Sequence, residues 1–152
     1  MKTRFFLVAS LLLASLGAMA QSHSLTGIWQ VIIYSLEGKV ISNLAIKEFY
    51  EDGSFVSLLR PAGSNVPYNP PFRMTQNGTY TWANDSVIHE VIGGSVQNPQ
   101  MSGKVSPVKV IFKENGNVVE ASYRVDHRPE TWHERWIRLY SPPKKETQRE
   151  KK

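Results

Sequence analysis

Residues 104–125, KVSPVKVIFKENGNVVEASYRV, decide the fold class. On both sides of Glu114-Asn115-Gly116 apolar and polar residues alternate, and the apolar ones are mostly Val, Ile, Phe and Tyr. A period of two places successive side chains on opposite faces of a strand, and a short Gly-containing break between two such runs is a hairpin turn. Working outward, the same alternation fills the chain from Ser24 to Tyr140, punctuated by Asp-Gly, Asn-Gly and Asn-Asp pairs. The pattern predicts strands at 27–35, 45–50, 54–60, 77–83, 86–92, 104–113, 117–125 and 131–139. No long stretch carries a 3.6-residue apolar stripe, so helix is expected only as a turn or two near 22–25 or 37–43.

The connections are unequal. Glu51-Asp52-Gly53, Asn84-Asp85 and Glu114-Asn115-Gly116 are tight, whereas 36–44, 61–76, 93–103 and 126–130 are longer. In an up-and-down meander, odd and even connections fall at opposite ends, so the tight turns share one end and the long loops the other. The expectation is an all-β, antiparallel up-and-down barrel of about eight strands, closed at one end and open at the other. A two-sheet sandwich with the same meander is the alternative.

The chain ends differ from this middle. Residues 1–20 (MKTRFFLVASLLLASLGAMA) place Lys2 and Arg4 ahead of an apolar run, with Ala18 and Ala20 framing a cleavage site before Gln21. That is the layout of an export signal, and its apolar run is too short to span a bilayer. Cysteine is absent, which removes disulfides, thiolate chemistry and the lipid-bearing Cys that would tether a lipoprotein. Release into the periplasm or the medium is expected. Residues 141–152 (SPPKKETQREKK) are polar and basic and are expected to form a disordered tail, which leaves 21–140 as the domain. Of the formal net charge of +5, all lies in the two ends, and residues 21–140 balance basic against acidic side chains. Nucleic acid is therefore not expected as partner, and since no other segment is apolar over a longer run, no membrane span is expected either.

The first predicted strand opens Leu25-Thr26-Gly27-Ile28-Trp29, and the last contains Glu134-Arg135-Trp136-Ile137-Arg138. Between them stand Lys47-Glu48-Phe49-Tyr50-Glu51-Asp52-Gly53-Ser54-Phe55 and Gly78-Thr79-Tyr80 followed by Asp85 and Glu90. The G-x-W resembles the opening motif of the lipocalins and fatty-acid-binding proteins, and the order of the pieces is similar to a family of secreted bacterial lipocalin-like domains of unknown function. The resemblance implies a calycin-type barrel in which a basic residue of the last strand, here Arg138, lies across Trp29 as a closed-end plug. Strand counting alone brings Trp29 and Arg138 to the same end. Glu134, on the face of Arg138, is the expected counter-ion. Arg138-Leu139-Tyr140 also resembles the Arg-x-Tyr clamp of fatty-acid-binding proteins, a role that conflicts with Arg138 serving as plug.

For a binding site, the face of the last strand that carries Glu134 also carries Trp132, toward the open end, and antiparallel pairing places Tyr123 beside it. Trp132, Tyr123 and Glu134, with Leu59 and Tyr80 on the rim and Tyr68 and Phe72 in the Pro-rich loop 61–76 acting as a lid, are the expected contacts for a small, mostly apolar ligand. His89-Glu90 and His133-Glu134 suggest metal or proton transfer, but neighbours on a strand face opposite sides, so at most one of each pair enters the cavity. No metal, no cofactor and no catalysis are expected. A protein-protein interaction module with a filled barrel is the rival reading, and an enzyme with Glu90 or Glu134 as base ranks third.

Overall fold

The computed structural model describes residues 23–60, 72–124 and 129–142. Eight strands, β1 (Gly27–Tyr34), β2 (Val40–Phe49), β3 (Ser54–Leu59), β4 (Arg73–Asn84), β5 (Val87–Ser95), β6 (Val105–Lys113), β7 (Val118–Arg124) and β8 (Thr131–Tyr140), follow one another in a closed antiparallel barrel. Closure is made by β1 against β8, with Trp29 opposite Arg138 and Val31 opposite Trp136. The sandwich alternative is thereby excluded, since no strand is left with a free edge. Among the described residues no helix is long and apolar enough to cross a membrane.

The closed-end turns have local causes. Asp52 Oδ1 accepts from the backbone N–H of Ser54 at 2.9 Å, and Gly53 takes a left-handed φ of 82°. Asn84 Oδ1 accepts from Ser86 N–H in the same way. These Asx turns let a polar side chain stand in for a backbone partner. At the third turn the left-handed positions are Glu114, Asn115 and Gly116.

Several elements differ from the sequence expectation. β2 begins at Val40 rather than at residue 45, because Ser35 N–H donates to the Lys39 carbonyl at 2.7 Å and closes a short hairpin. Its mouth-side residues are exposed on both faces, so the inside-outside alternation that marks a strand is missing there. β4 starts earlier and β5 ends later than expected, their ends paired through Gln76 and Ser95. No helical turn forms at 37–43 or at 23–25; 3-10 turns occupy Pro99–Met101 and Glu114–Gly116 instead. The expected export signal, the basic tail beyond Pro142 and most of the proposed lid, Tyr68 included, lie outside the described residues.

Inward side chains stack in layers from the closed end upward. The floor is aromatic: Phe49 packs against Trp136 at 5.5 Å, Phe55 at 6.1 Å and Tyr80 at 4.9 Å between ring centroids. Trp29, Ile88, Val110 and Val119 complete it, all buried. Above this floor the layer changes character, because Lys47, Glu90 and Glu134 also point inward and are buried.

Candidate functional site

The closed end is sealed by Arg138. Its guanidinium carbon lies 4.0 Å from the centroid of the Trp29 ring, and its nitrogens donate to the carbonyls of Ser24, Thr26 and Gly116 at 2.6, 2.9 and 3.1 Å. Trp29 Nε1 donates to the Leu25 carbonyl at 2.7 Å. Gly27 has a φ of 134°, and a Cβ there would sit 2.3 Å from the Tyr140 carbonyl oxygen, so no other residue fits where the opening of β1 crosses the end of β8. Glu134 is not the counter-ion of Arg138. Trp136 stands between them on the inward face, and backbone carbonyls satisfy the guanidinium. Tyr140 is exposed, so Arg138 and Tyr140 form no clamp inside the cup.

Above the aromatic floor lies a cavity of about 270 Å³. Val31, Ile33, Ala45, Leu58, Leu59 and Val108 supply its apolar wall, while Lys47, Ser57, Thr75, Gln76, Glu90, Gln97, Ser106, Tyr123 and Glu134 supply polar groups. Lys47 Nζ reaches Glu90 Oε1 at 2.5 Å and sits 4.9, 5.0 and 5.4 Å from the ring centroids of Phe55, Trp136 and Phe49. A carboxylate and three ring faces thus hold an ammonium that would otherwise be too costly to bury. Beside it, Glu134 accepts from Tyr123 Oη at 2.7 Å and from Trp136 Nε1 at 2.6 Å.

Burial raises the Glu90 pKa, Lys47 pulls it back down, and the nearby Glu134 charge pushes it up again. Burial, then the Glu134 charge, raises the Tyr123 phenol, which therefore stays protonated as a donor to Glu134. The adjacent His89 and His133 are exposed, as strand alternation requires. Among the described residues no three His, Asp or Glu side chains gather into a metal-binding group.

Residues 24–147 match a family described as a domain of unknown function, DUF4488. The chain belongs to that family. No curated protein matches it. Within this DUF4488 chain the barrel brings Tyr123, Glu134 and Leu59 together on the cavity wall. Tyr80 is not on the rim. β4 runs away from the mouth, so Tyr80 reaches the floor, where its hydroxyl donates to the Tyr50 carbonyl at 3.4 Å. Phe72 is exposed just before β4 and is not among the residues of the cavity wall. Trp132 pairs with Tyr123 across β7 and β8 as expected, yet it does not line the cavity, and its Nε1 is buried without an acceptor among the described residues.

Sequence reasoning missed Lys47, Ser106 and Gln76 as wall residues. The signal for Lys47 was present, since it shares a strand face with Phe49. The opposite face of that strand carries Ile46, Glu48 and Tyr50, an equally mixed set, so alternation by itself did not say which face turns inward.

Proposed function

We propose that this protein is an exported, lipocalin-like carrier that binds a small amphipathic molecule in its cup, without chemistry on it. The cavity carries the reading: it is of about 270 Å³ and its wall mixes aliphatic side chains with hydroxyl, amide and charged groups. Ligand sites of this kind use an apolar wall for affinity and a few placed polar groups for orientation. The eight-stranded meander and the Arg138-Trp29 seal support the lipocalin-like assignment. The sequence of residues 1–20 supports export to the periplasm or medium. Glu90 and Glu134 are each engaged by donors, which suits a fixed recognition wall better than a free general base. The expected apolar ligand is refined to one with an apolar body and a polar group, because a purely apolar occupant leaves Gln76 and Ser106 without partners.

Mass spectrometry of solvent extracts from the purified native protein is the test, followed by titration of stripped protein with a panel of small amphiphiles, read by Trp emission. One co-purifying compound, or one panel member that binds stoichiometrically, is the expected result. A clean extract together with no binding by folded, stripped protein refutes the carrier. The second reading, a protein-protein interaction module, draws on the exposed apolar side chains Leu36, Val40, Ile41 and Val96 at the mouth. It is the one favoured by that negative outcome.

A further inference from the structure

The cavity wall carries two carboxylates, Glu90 and Glu134, and one cation, Lys47, among the described residues. Lys47 is consumed by Glu90, which it touches through Oε1. Among the described residues Glu134 has neutral donors alone, Tyr123 Oη and Trp136 Nε1. The buried wall is therefore short of one positive charge. Directly opposite Glu90 on β6 stands Ser106, which is 8% exposed and faces the same cavity. Its hydroxyl has no hydrogen-bond partner among the described residues, nor has the second carboxylate oxygen of Glu90. An unpartnered hydroxyl beside a half-used carboxylate is a prepared acceptor pair for a donor brought by a ligand.

Resting on the carrier reading, we propose that the cup selects amphiphiles bearing a protonated amine. The ammonium is held at Glu90 and Ser106, with Glu134 completing the negative wall, and the apolar body lies against Val31, Ile33 and Leu59. The chain already uses this chemistry, since the Lys47 ammonium is held by Glu90 over three rings. A carboxylate ligand meets the opposite situation: its charge adds to Glu134, and Lys47 is released to it only by leaving Glu90 alone. An alcohol of the same length keeps the apolar contacts and gains no charge pairing.

The test titrates the stripped mature protein with n-octylamine, 1-octanol and octanoate at neutral pH, by calorimetry and Trp emission. Octylamine is expected to bind at least tenfold more tightly than octanol, and octanoate more weakly than octanol. In Glu134→Gln and Glu90→Gln, each checked for cooperative melting, the amine-to-alcohol ratio is expected to fall at least fivefold. Octanoate binding as tightly as octylamine overturns the inference, as does an undiminished ratio in both variants. If these three fail while another small amphiphile binds stoichiometrically, the amine inference falls and the carrier stands. If nothing binds and the native extract is clean, both fall.

Discussion

Replacing Lys47 with Met removes the cation from a pair in which Glu90 is only 4% exposed. At the 2.5 Å contact, an effective dielectric of about 20 gives an attraction of roughly 6–7 kcal/mol, offset by a desolvation penalty of several kcal/mol per ion. The pair as a whole is thus near neutral for stability, but stranding one partner is not. Lys47→Met is expected to lose about 3–5 kcal/mol near pH 8, because Glu90 keeps its desolvation and loses the cation that pairs with it among the described residues. Glu90→Gln is expected to lose less, about 2 kcal/mol, since the Lys47 ammonium retains its three ring faces.

The pH dependence has a definite sign. Burial already lifts Glu90 above the ordinary carboxylate range, and Lys47 is the main influence drawing it down, with Glu134 opposing and Tyr123 remaining neutral. Removing Lys47 lifts it further. A carboxyl whose folded pKa is raised binds more protons folded than unfolded between its ordinary value and the raised one, so stability falls as pH rises through that window. The Lys47→Met penalty is therefore expected to be smaller near pH 5 than near pH 8, because protonation of Glu90 on the acid side removes the unpaired charge. Urea unfolding followed by Trp emission measures all of this. A Lys47→Met loss below about 1 kcal/mol that is flat between these pH values, or a larger loss in Glu90→Gln, would refute the account of the pair.

Two further outcomes follow from the geometry and one from the sequence of the first twenty residues. In a double-mutant cycle on unfolding free energy, Trp29→Ala and Arg138→Ala are expected to couple by about 0.5–2 kcal/mol, given the 4.0 Å stacking distance; additivity would show that the guanidinium serves only the carbonyls. Tyr123→Phe takes away a 2.7 Å donor to Glu134 and is expected to destabilise by about 1–2 kcal/mol in urea melts, with an unchanged midpoint counting against that bond. N-terminal sequencing of exported protein is expected to begin at or near Gln21, and a chain starting at Met1 contradicts the cleavage reading.

The residues by themselves determined the strand number, the meander and the three tight closed-end turns, whereas the connection expected to be long over 36–44 is a short hairpin closed between Ser35 and Lys39. What they determined depends on local rules: a period of two, and Asp, Asn and Gly at positions where the backbone must turn. The Trp29-Arg138 meeting was legible for the same reason, because counting connections places both at one end, and the structure sets them opposite each other across β1 and β8. Tertiary structure decided the rest. Closure of β1 onto β8, rather than two packed sheets, depends on pairing between residues more than a hundred positions apart, to which local alternation is blind. Lys47 and Glu90 are 43 positions apart and meet because the barrel turns both inward at one height. Their neighbours on the chain, Glu48 and His89, carry charge or polarity toward the opposite face, so polarity could not mark the inside. Where the aromatic floor ends and the cavity begins is set by how side chains from all eight strands fill one volume, a property of the closed barrel and of no single strand.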